Sequence, residues 1–372
     1  MLPRLSPTIA LAGDWLFPTE IRFGAGRLGE LAAVCRRLGL GRPLVVTDRG
    51  LAQLPLAANV LSAAAALGAQ PGLFSDVQEN PTAANVAAGV AAFHAWRADG
   101  VIALGGGSLW RFAWPDHGAA QAEPGAAPIV AIPTTAGTGA EVEASAIITD
   151  PAGPTKRAII HPGLLPRVVI ADPALTVGLP AGLTAATGMD ALSHNLEALC
   201  VPGFHPMADA VALAGVALAG QWLPRAVAAP ADLTPRAYMM AAAIMGATAF
   251  AKGLGAMHAL SHAIGALTGS HHGLTNAVLM PFVLDHNRPA IEEAMTALAR
   301  FLDLPDPGFA AARGWIVALR DRVGIPPGLA ALGVGADRFP AIAGLAAGDI
   351  CAGTNPVPLD EAALLAILRA AA

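Results

Sequence analysis

Two kinds of periodicity divide the chain. Up to about residue 178, short apolar runs ending in glycine or polar turns alternate with stretches whose apolar residues recur every three or four positions. Residues 21–23 read as a short strand closed by Gly24 and Gly26. Residues 27–38 read as a helix through Leu28, Leu31, Val34 and Leu38. A buried strand over 43–48, an Ala-rich helix over 52–68 and a strand over Gly72–Val77 follow. Thr82 is placed to cap a helix over 83–97. Residues 101–104, 129–132 and 168–172 complete the strand signals, the first two running into glycine-rich turns. This alternation predicts a parallel sheet with a site at the carboxyl ends of its strands.

From Pro180 onwards the strand signals stop and helical periodicities follow one another. Pro202 and Pro206, Pro230 and Pro235, Pro281, Pro289, Pro305 and Pro307, and Pro326 with Pro327 read as joints between helices. The expected architecture is an α/β domain over residues 1–178 and an all-helical domain over 179–372, as the length of 372 residues favours.

Composition narrows the function classes. Hydrophobic residues make up 55% and charged residues 13%, with an excess of alanine that suits tight helix packing. The apolar runs at 211–220 and 237–251 fall short of the ~18 uninterrupted residues of a membrane span. The N-terminal residues lack a signal-peptide layout. A net charge of −5 without a basic stripe argues against nucleic acid. Cys35, Cys200 and Cys351 form no CxxC and read as reduced core residues. A cytoplasmic protein without membrane or nucleic-acid partners is expected, assembling as a homodimer or higher homo-oligomer.

The candidate chemistry lies in the second half. His258 and His262 share one helix face at i,i+4 within an apolar segment that runs on to His271 and His272. Asp190 and His194 repeat the spacing in GMDALSHNLEAL. Buried imidazoles are costly unless something binds them. Aspartate and histidine together on helices form a divalent-metal pattern. In the first half, Gly105, Gly106, Gly107 and Ser108 follow a strand, where backbone N–H groups can approach a phosphate closely; a plain tight turn is the competing reading. Thr134, Thr135 and the glycines after them end a second strand, suited to phosphate or ribose. Asp48 ends another, where it either faces an adenosine ribose or is an ordinary turn residue.

Taken together these motifs resemble the iron-containing (group III) alcohol dehydrogenase family over nearly the whole chain. The matching stretches include FPTEIRFGAGRLGEL, IALGGGS, AIPTTAGTGAEV, TAATGMDALSHNLEA, KGLGAMHALSHAIGALTGSHHGLTNAVLMP and DICAGTNP. The resemblance implies a Rossmann-like dinucleotide-binding domain followed by a helical domain, the dehydroquinate synthase-like fold, with a metal between them. It places the metal ligands on Asp190, His194, His258 and His272, and a proton-relaying histidine on His262. It places contacts to NAD on Asp48, Gly105, Gly106, Gly107, Ser108, Thr134, Thr135 and Lys156. His271, Asn195 and Glu197 take packing or supporting roles. The implied reaction moves a hydride between NAD(H) and a small alcohol or aldehyde, aided by a divalent metal that lowers the pKa of the alcohol. Hard–soft reasoning admits Fe²⁺ or Zn²⁺, and the resemblance favours Fe²⁺. Ser145 and Phe250 suit a small, weakly polar substrate.

One departure counts against full activity. The family continues as GGGSxxDxAK on a helix, whereas this chain reads GGGSLWRFAWPDHG, with Arg111 in place of the aspartate. The segment before residue 129 is short by about five helical turns. The alternative expectation is therefore a metal-binding homologue, non-catalytic or weakly active, with impaired nucleotide binding and a rearranged segment over 108–128.

Overall fold

The computed structural model describes residues 13–16, 19–66, 68–78, 81–106, 127–149 and 156–372. Its first half holds β1 (Gly13–Leu16), β2 (Glu20–Phe23), α1 (Leu31–Arg37), β3 (Leu44–Asp48), α2 (Arg49–Ala52) and α3 (Pro55–Ala65). These are followed by β4 (Gly72–Val77), α4 (Ala83–Trp96), β5 (Val101–Gly105), β6 (Ile129–Pro133), β7 (Ser145–Thr149), β8 (Lys156–Ile160) and β9 (Val168–Ala171). Seven strands form one sheet in the order β1-β2-β9-β6-β5-β3-β4, parallel except for the antiparallel β1–β2 pair.

The expected strands are present because their alternation is a two-sided burial. Val101 and Ala103 of β5, with Ile129 and Ala131 of β6, face one core; Ile102, Leu104, Val130 and Ile132 face the other. Thr82 caps α4 in a reciprocal pair with Asn85, and Arg97 ends the helix in the left-handed region at φ 53°. The expected helix over 52–68 is the shorter α3, because Leu54 is extended and Pro55 starts the helix at its first turn, while the separate α2 ends at Ala52. Two features lacked a clear sequence signal: strand β1 and the separate β7–β8 hairpin.

The second half is helical throughout: α5 (Ala181–Cys200), α6 (Pro206–Ala228), α7 (Leu233–Ala249), α8 (Ala256–Thr268), α9 (His272–Phe301), α10 (Phe309–Arg322), α11 (Phe339–Ala347) and α12 (Glu361–Ala370), with short 3-10 turns between. Pro281 and Pro289 do not separate helices as the sequence pattern suggests; both lie inside α9. Burial of Val278, Leu279, Met280, Val283 and Leu284 around Pro281 explains this, since packing outweighs the lost backbone bond. Among the described residues, α6 is the one helix long and apolar enough to cross a membrane by length and composition. It packs against α5 and α7. One apolar core runs from the sheet face through α5, α7, α8 and α9.

Candidate functional site

The site begins with a stripe on α5. Asp190, His194 and Glu197 recur at i, i+4 and i+7, so they share one face, and all three are buried. Opposite them α8 starts at Gly255, which has no side chain to cap the helix. Two remote side chains supply the caps. Glu197 accepts the Gly255 and Met257 N–H groups at 3.0 and 2.8 Å, and Asn355 Oδ1 accepts that of Ala256 at 3.0 Å. A Cβ at Gly255 would stand 2.6 Å from Asn355 Oδ1 and 2.9 Å from Glu197 Oε1, so this approach needs glycine. Glu197 Oε2 also lies 2.6 Å from His258 Nδ1. That contact turns the opposite nitrogen, Nε2, towards α5 and α9.

Donor atoms of Asp190, His194, His258 and His272 all lie within 4.8 Å of one another. His272 Nε2 and His194 Nδ1 are 3.6 and 3.9 Å from Asp190 Oδ1. The His194 and His258 rings are 4.4 Å apart between centroids, and those of His258 and His272 are 5.3 Å apart. Ser261 Oγ holds His272 Nδ1 at 2.8 Å, leaving Nε2 for the cluster. Asn276 Nδ2 donates to Asp190 Oδ1 at 3.0 Å and lies 3.2 Å from both His258 Nε2 and His272 Nε2. This donor set fits a divalent metal. His194 Nδ1 is buried without a hydrogen-bond partner among the described residues, an orphan that a cation would satisfy. Burial pulls the His194 pKa down to about 4, which keeps the ring neutral and able to coordinate. At His258 burial acts in the same direction, but the hydrogen bond and charge of Glu197 outweigh it and raise the pKa.

His262 stands beside this cluster. Its ring stacks on that of His272 at 5.3 Å and 16°. Its Nδ1 lies 2.9 Å from Asp349 Oδ2, in the segment leading into the 3-10 turn Ile350–Thr354. Burial pushes the Asp349 carboxyl up, yet hydrogen bonds from His262 and Cys351 outweigh it and hold the group below the usual range. The Phe250 ring is 5.0 Å from that of His194, an apolar wall next to the cluster.

The other expected residues lie at strand ends. Reading β4-β3-β5-β6-β9 across the sheet, the chain reverses direction between β3 and β5, where open α/β sheets bind their ligands. Asp48 ends β3, Gly105 ends β5, and Thr134 and Thr135 follow β6, all on neighbouring strands. Gly105 has φ 146°, a conformation that side chains disfavour. A Cβ on Gly106 would stand 3.2 Å from Thr135 Oγ1, which draws the two turns together. Asp48 Oδ1 accepts the Leu51 N–H at 2.8 Å, capping α2. The β6 turn reaches the helix that carries Asp190 and His194: a Cβ on Gly137 would stand 3.0 Å from Thr187 of α5, and one on Gly139 would stand 2.3 Å from the Ala243 carbonyl of α7. Gly107, Ser108 and the shortened segment after them lie outside the described residues. Lys156 opens β8 on the hairpin rather than at a sheet end, and only its backbone is described.

Of the residues given supporting roles, Asn195 packs, donating to the Ala191 and Ala242 carbonyls, and His271 caps α9. Glu197 does more than pack, and its spacing from Asp190 and His194 was the available signal. Ser261, Asn276 and Asp349 also serve the site. Asp349 lies 87 residues from its partner His262, a separation that no local pattern bridges.

Comparison with known proteins gives the family. The family model for iron-containing alcohol dehydrogenase matches residues 18–173, and that for the C-terminal part of the Fe-containing alcohol dehydrogenase family matches 184–372. The chain is 39% identical over 364 residues to 4-hydroxybutyrate dehydrogenase of Cupriavidus necator, covering 91% of this chain and 94% of that protein. It is 35% identical to the NAD-dependent methanol dehydrogenase of Bacillus methanolicus, covering 92% and 95%. A crystal structure of 1,3-propanediol oxidoreductase superposes with a TM-score of 0.91 at 34% identity, covering 95% of this chain and 97% of that one. Neither these relatives nor the site geometry supports the reading of an impaired homologue.

Proposed function

Since the chain belongs to the iron-containing alcohol dehydrogenase family, we propose that it interconverts small primary alcohols and aldehydes with NAD(H), using one divalent metal held by Asp190, His194, His258 and His272. The observation that carries this reading is the convergence of those four donors from α5, α8 and α9. Fe²⁺ is the favoured ion, and the three imidazoles with one carboxylate also accept Zn²⁺. The metal supplies Lewis acidity that lowers the pKa of the substrate alcohol, and the nicotinamide supplies the hydride acceptor.

The remaining work falls to the protein. Glu197 holds His258 with Nε2 towards the cluster, and Ser261 does the same for His272. His262, held at Nδ1 by Asp349, takes up the alcohol proton at its other ring nitrogen, and the ionised carboxylate stabilises the imidazolium that results. Phe250 presents an apolar face beside His194, which suits short, weakly polar chains. The relatives named for 4-hydroxybutyrate and methanol both act on primary alcohols. Asp48, Gly105, Gly106, Gly107, Ser108, Thr134, Thr135 and Lys156 are the proposed NAD contacts. The division into domains at 178/179, a homo-oligomeric state and a cytoplasmic location belong to the same reading; three free, buried cysteines suit the last.

The test combines metal analysis with NADH oxidation against a panel of short aldehydes. Wild type should carry one metal per chain and turn over. The double variant His258→Ala, His272→Ala should lose both metal and activity. Full metal occupancy in that variant would sink the assignment.

A further inference from the structure

We propose that His262, Asp349 and Cys351 form a second divalent-cation site, selective for a thiophilic ion such as Zn²⁺, whose occupation disables proton exchange at His262. This goes beyond the proposed function, and its inhibitory consequence rests on the relay role given there to His262. The three side chains offer a nitrogen, an oxygen and a sulfur within 4.8 Å of one another. None of them belongs to the first cluster, and the His258 and His262 rings are 6.2 Å apart.

The arrangement is centred on the Asp349 carboxylate. Oδ2 accepts from His262 Nδ1 at 2.9 Å, and Oδ1 accepts the Cys351 N–H at 2.8 Å. The Cys351 side chain also hydrogen-bonds to this carboxylate. An imidazole proton and a thiol proton therefore converge on one anion. A divalent cation placed there meets three donors already gathered by those two protons. Binding releases the thiol proton to solvent and forms a metal–thiolate bond. On His262 the ring proton moves from Nδ1 to Nε2, and Nδ1 becomes the ligand; no electron is transferred. Carboxylate and thiolate together carry two negative charges, so the occupied site is neutral next to the first metal, where the empty one carries only the carboxylate's single negative charge. The thiol selects the ion. Burial above all holds Cys351 protonated, so a hard cation that cannot displace that proton gains only two donors, whereas a borderline-soft ion gains three.

The consequence follows from the tautomer. Proton exchange needs a lone pair on the ring nitrogen opposite Asp349. With Nδ1 on a cation, that nitrogen carries the proton and cannot accept another. Turnover should fall about 100-fold, the lower end of what general acid–base groups contribute.

Cobalt distinguishes the two sites, because the first has no sulfur ligand. Metal-free protein is titrated with Co²⁺ while absorbance, bound metal and activity are followed. The first equivalent should give visible bands without a near-ultraviolet sulfur-to-cobalt charge-transfer band, and should support turnover. The second equivalent should bring that charge-transfer band and the loss of turnover. Cys351→Ala should still bind the first equivalent while losing the band, and its turnover at one equivalent, whatever its level, should not fall when the second is added. Cys351→Ser, closer in size, guards against a packing defect in the alanine variant. Failure of the first equivalent to bind would count against the primary metal assignment and leave the sulfur band as an independent readout. Saturation at one equivalent without the band, or a band that persists in both Cys351 variants, overturns the second site.

Discussion

Glu197 Oε2 lies 2.6 Å from His258 Nδ1, while the same carboxylate receives two backbone N–H groups from the first turn of α8. One buried group therefore orients a proposed metal ligand and caps the helix that carries it. Such partners typically cost about 10–100-fold in metal affinity when changed. Glu197→Gln should weaken metal binding within that range, because an amide accepts less strongly and presents N–H groups where only acceptors fit. Chelator competition measures this directly. Circular dichroism of the metal-free variant should remain native-like. Unchanged affinity would reduce Glu197 to a helix cap.

Glu141, outside the His–Asp cluster, supplies a pH-dependent prediction. It follows Gly139 in a 3-10 turn, is buried, and its Oε1 has no partner among the described residues. Burial pushes its carboxyl from 4.5 up to about 7. A raised carboxyl pKa means that the folded state binds the proton more tightly than the unfolded chain. Between pH 4.5 and about 7 the folded state therefore holds more protons, and stability falls as pH rises through that window. The total is about 3 kcal/mol. Glu141→Gln keeps the neutral shape and removes the titration. Its melting temperature should match wild type near pH 4.5 and exceed it at pH 8. Parallel melting curves across that range would show that Glu141 finds a partner when ionised.

The central strands β3, β5, β6 and β9 were legible because each carries apolar residues on both faces and ends in a turn, as strands of a doubly covered parallel sheet do. The β7–β8 hairpin was not legible: SAIIT and KRAII are short and pair only with each other. Pro281 and Pro289 misled because local chemistry disfavours them in a helix, whereas α9 is held by its buried neighbours. At the site, Asp190, His194 and Glu197 form a visible stripe, as do His258 and His262. The sequence did not show that Glu197 faces His258, nor that Asp349 and Cys351 meet His262. Those pairings arise from helix packing between segments 61 and 87 residues apart.

Asp48 should set cofactor preference. Its Oδ1 caps α2 through Leu51, which leaves Oδ2 at the end of β3, beside the reversal in strand order. A ribose 2′-hydroxyl would donate to that oxygen, whereas a 2′-phosphate would meet like charge, enough for a preference of about tenfold or more for NAD(H). Asp48→Asn retains an oxygen to cap Leu51 and removes the charge, so it separates recognition from helix stability. The ratio of kcat/KM for NADH over NADPH should fall towards one in this variant. Equal use of both cofactors by wild type would show that Asp48 only caps.

The His262–Asp349 pair gives the last prediction. The Nδ1–Oδ2 contact of 2.9 Å fixes the ring, and the carboxylate is ionised because its hydrogen bonds outweigh its burial. If His262 takes up the alcohol proton, the neighbouring anion stabilises the imidazolium in the transition state more than the neutral ring in the ground state. Asp349→Asn retains one hydrogen-bonding oxygen and removes the charge. It should lower kcat for alcohol oxidation by about 100-fold with little change in KM, since binding does not require the charge. His262→Ala should be at least as slow, and the double variant should be no slower than His262→Ala, because the two residues act as a unit. Added imidazole should restore part of the rate to His262→Ala and none to Asp349→Asn, where the ring still fills the space. Metal content must remain at the wild-type level in every variant, which distinguishes this relay from a structural effect on the metal cluster. Strictly additive losses in the double variant would mean that Asp349 acts elsewhere, and that the contact merely holds the loop before Ile350 against α8.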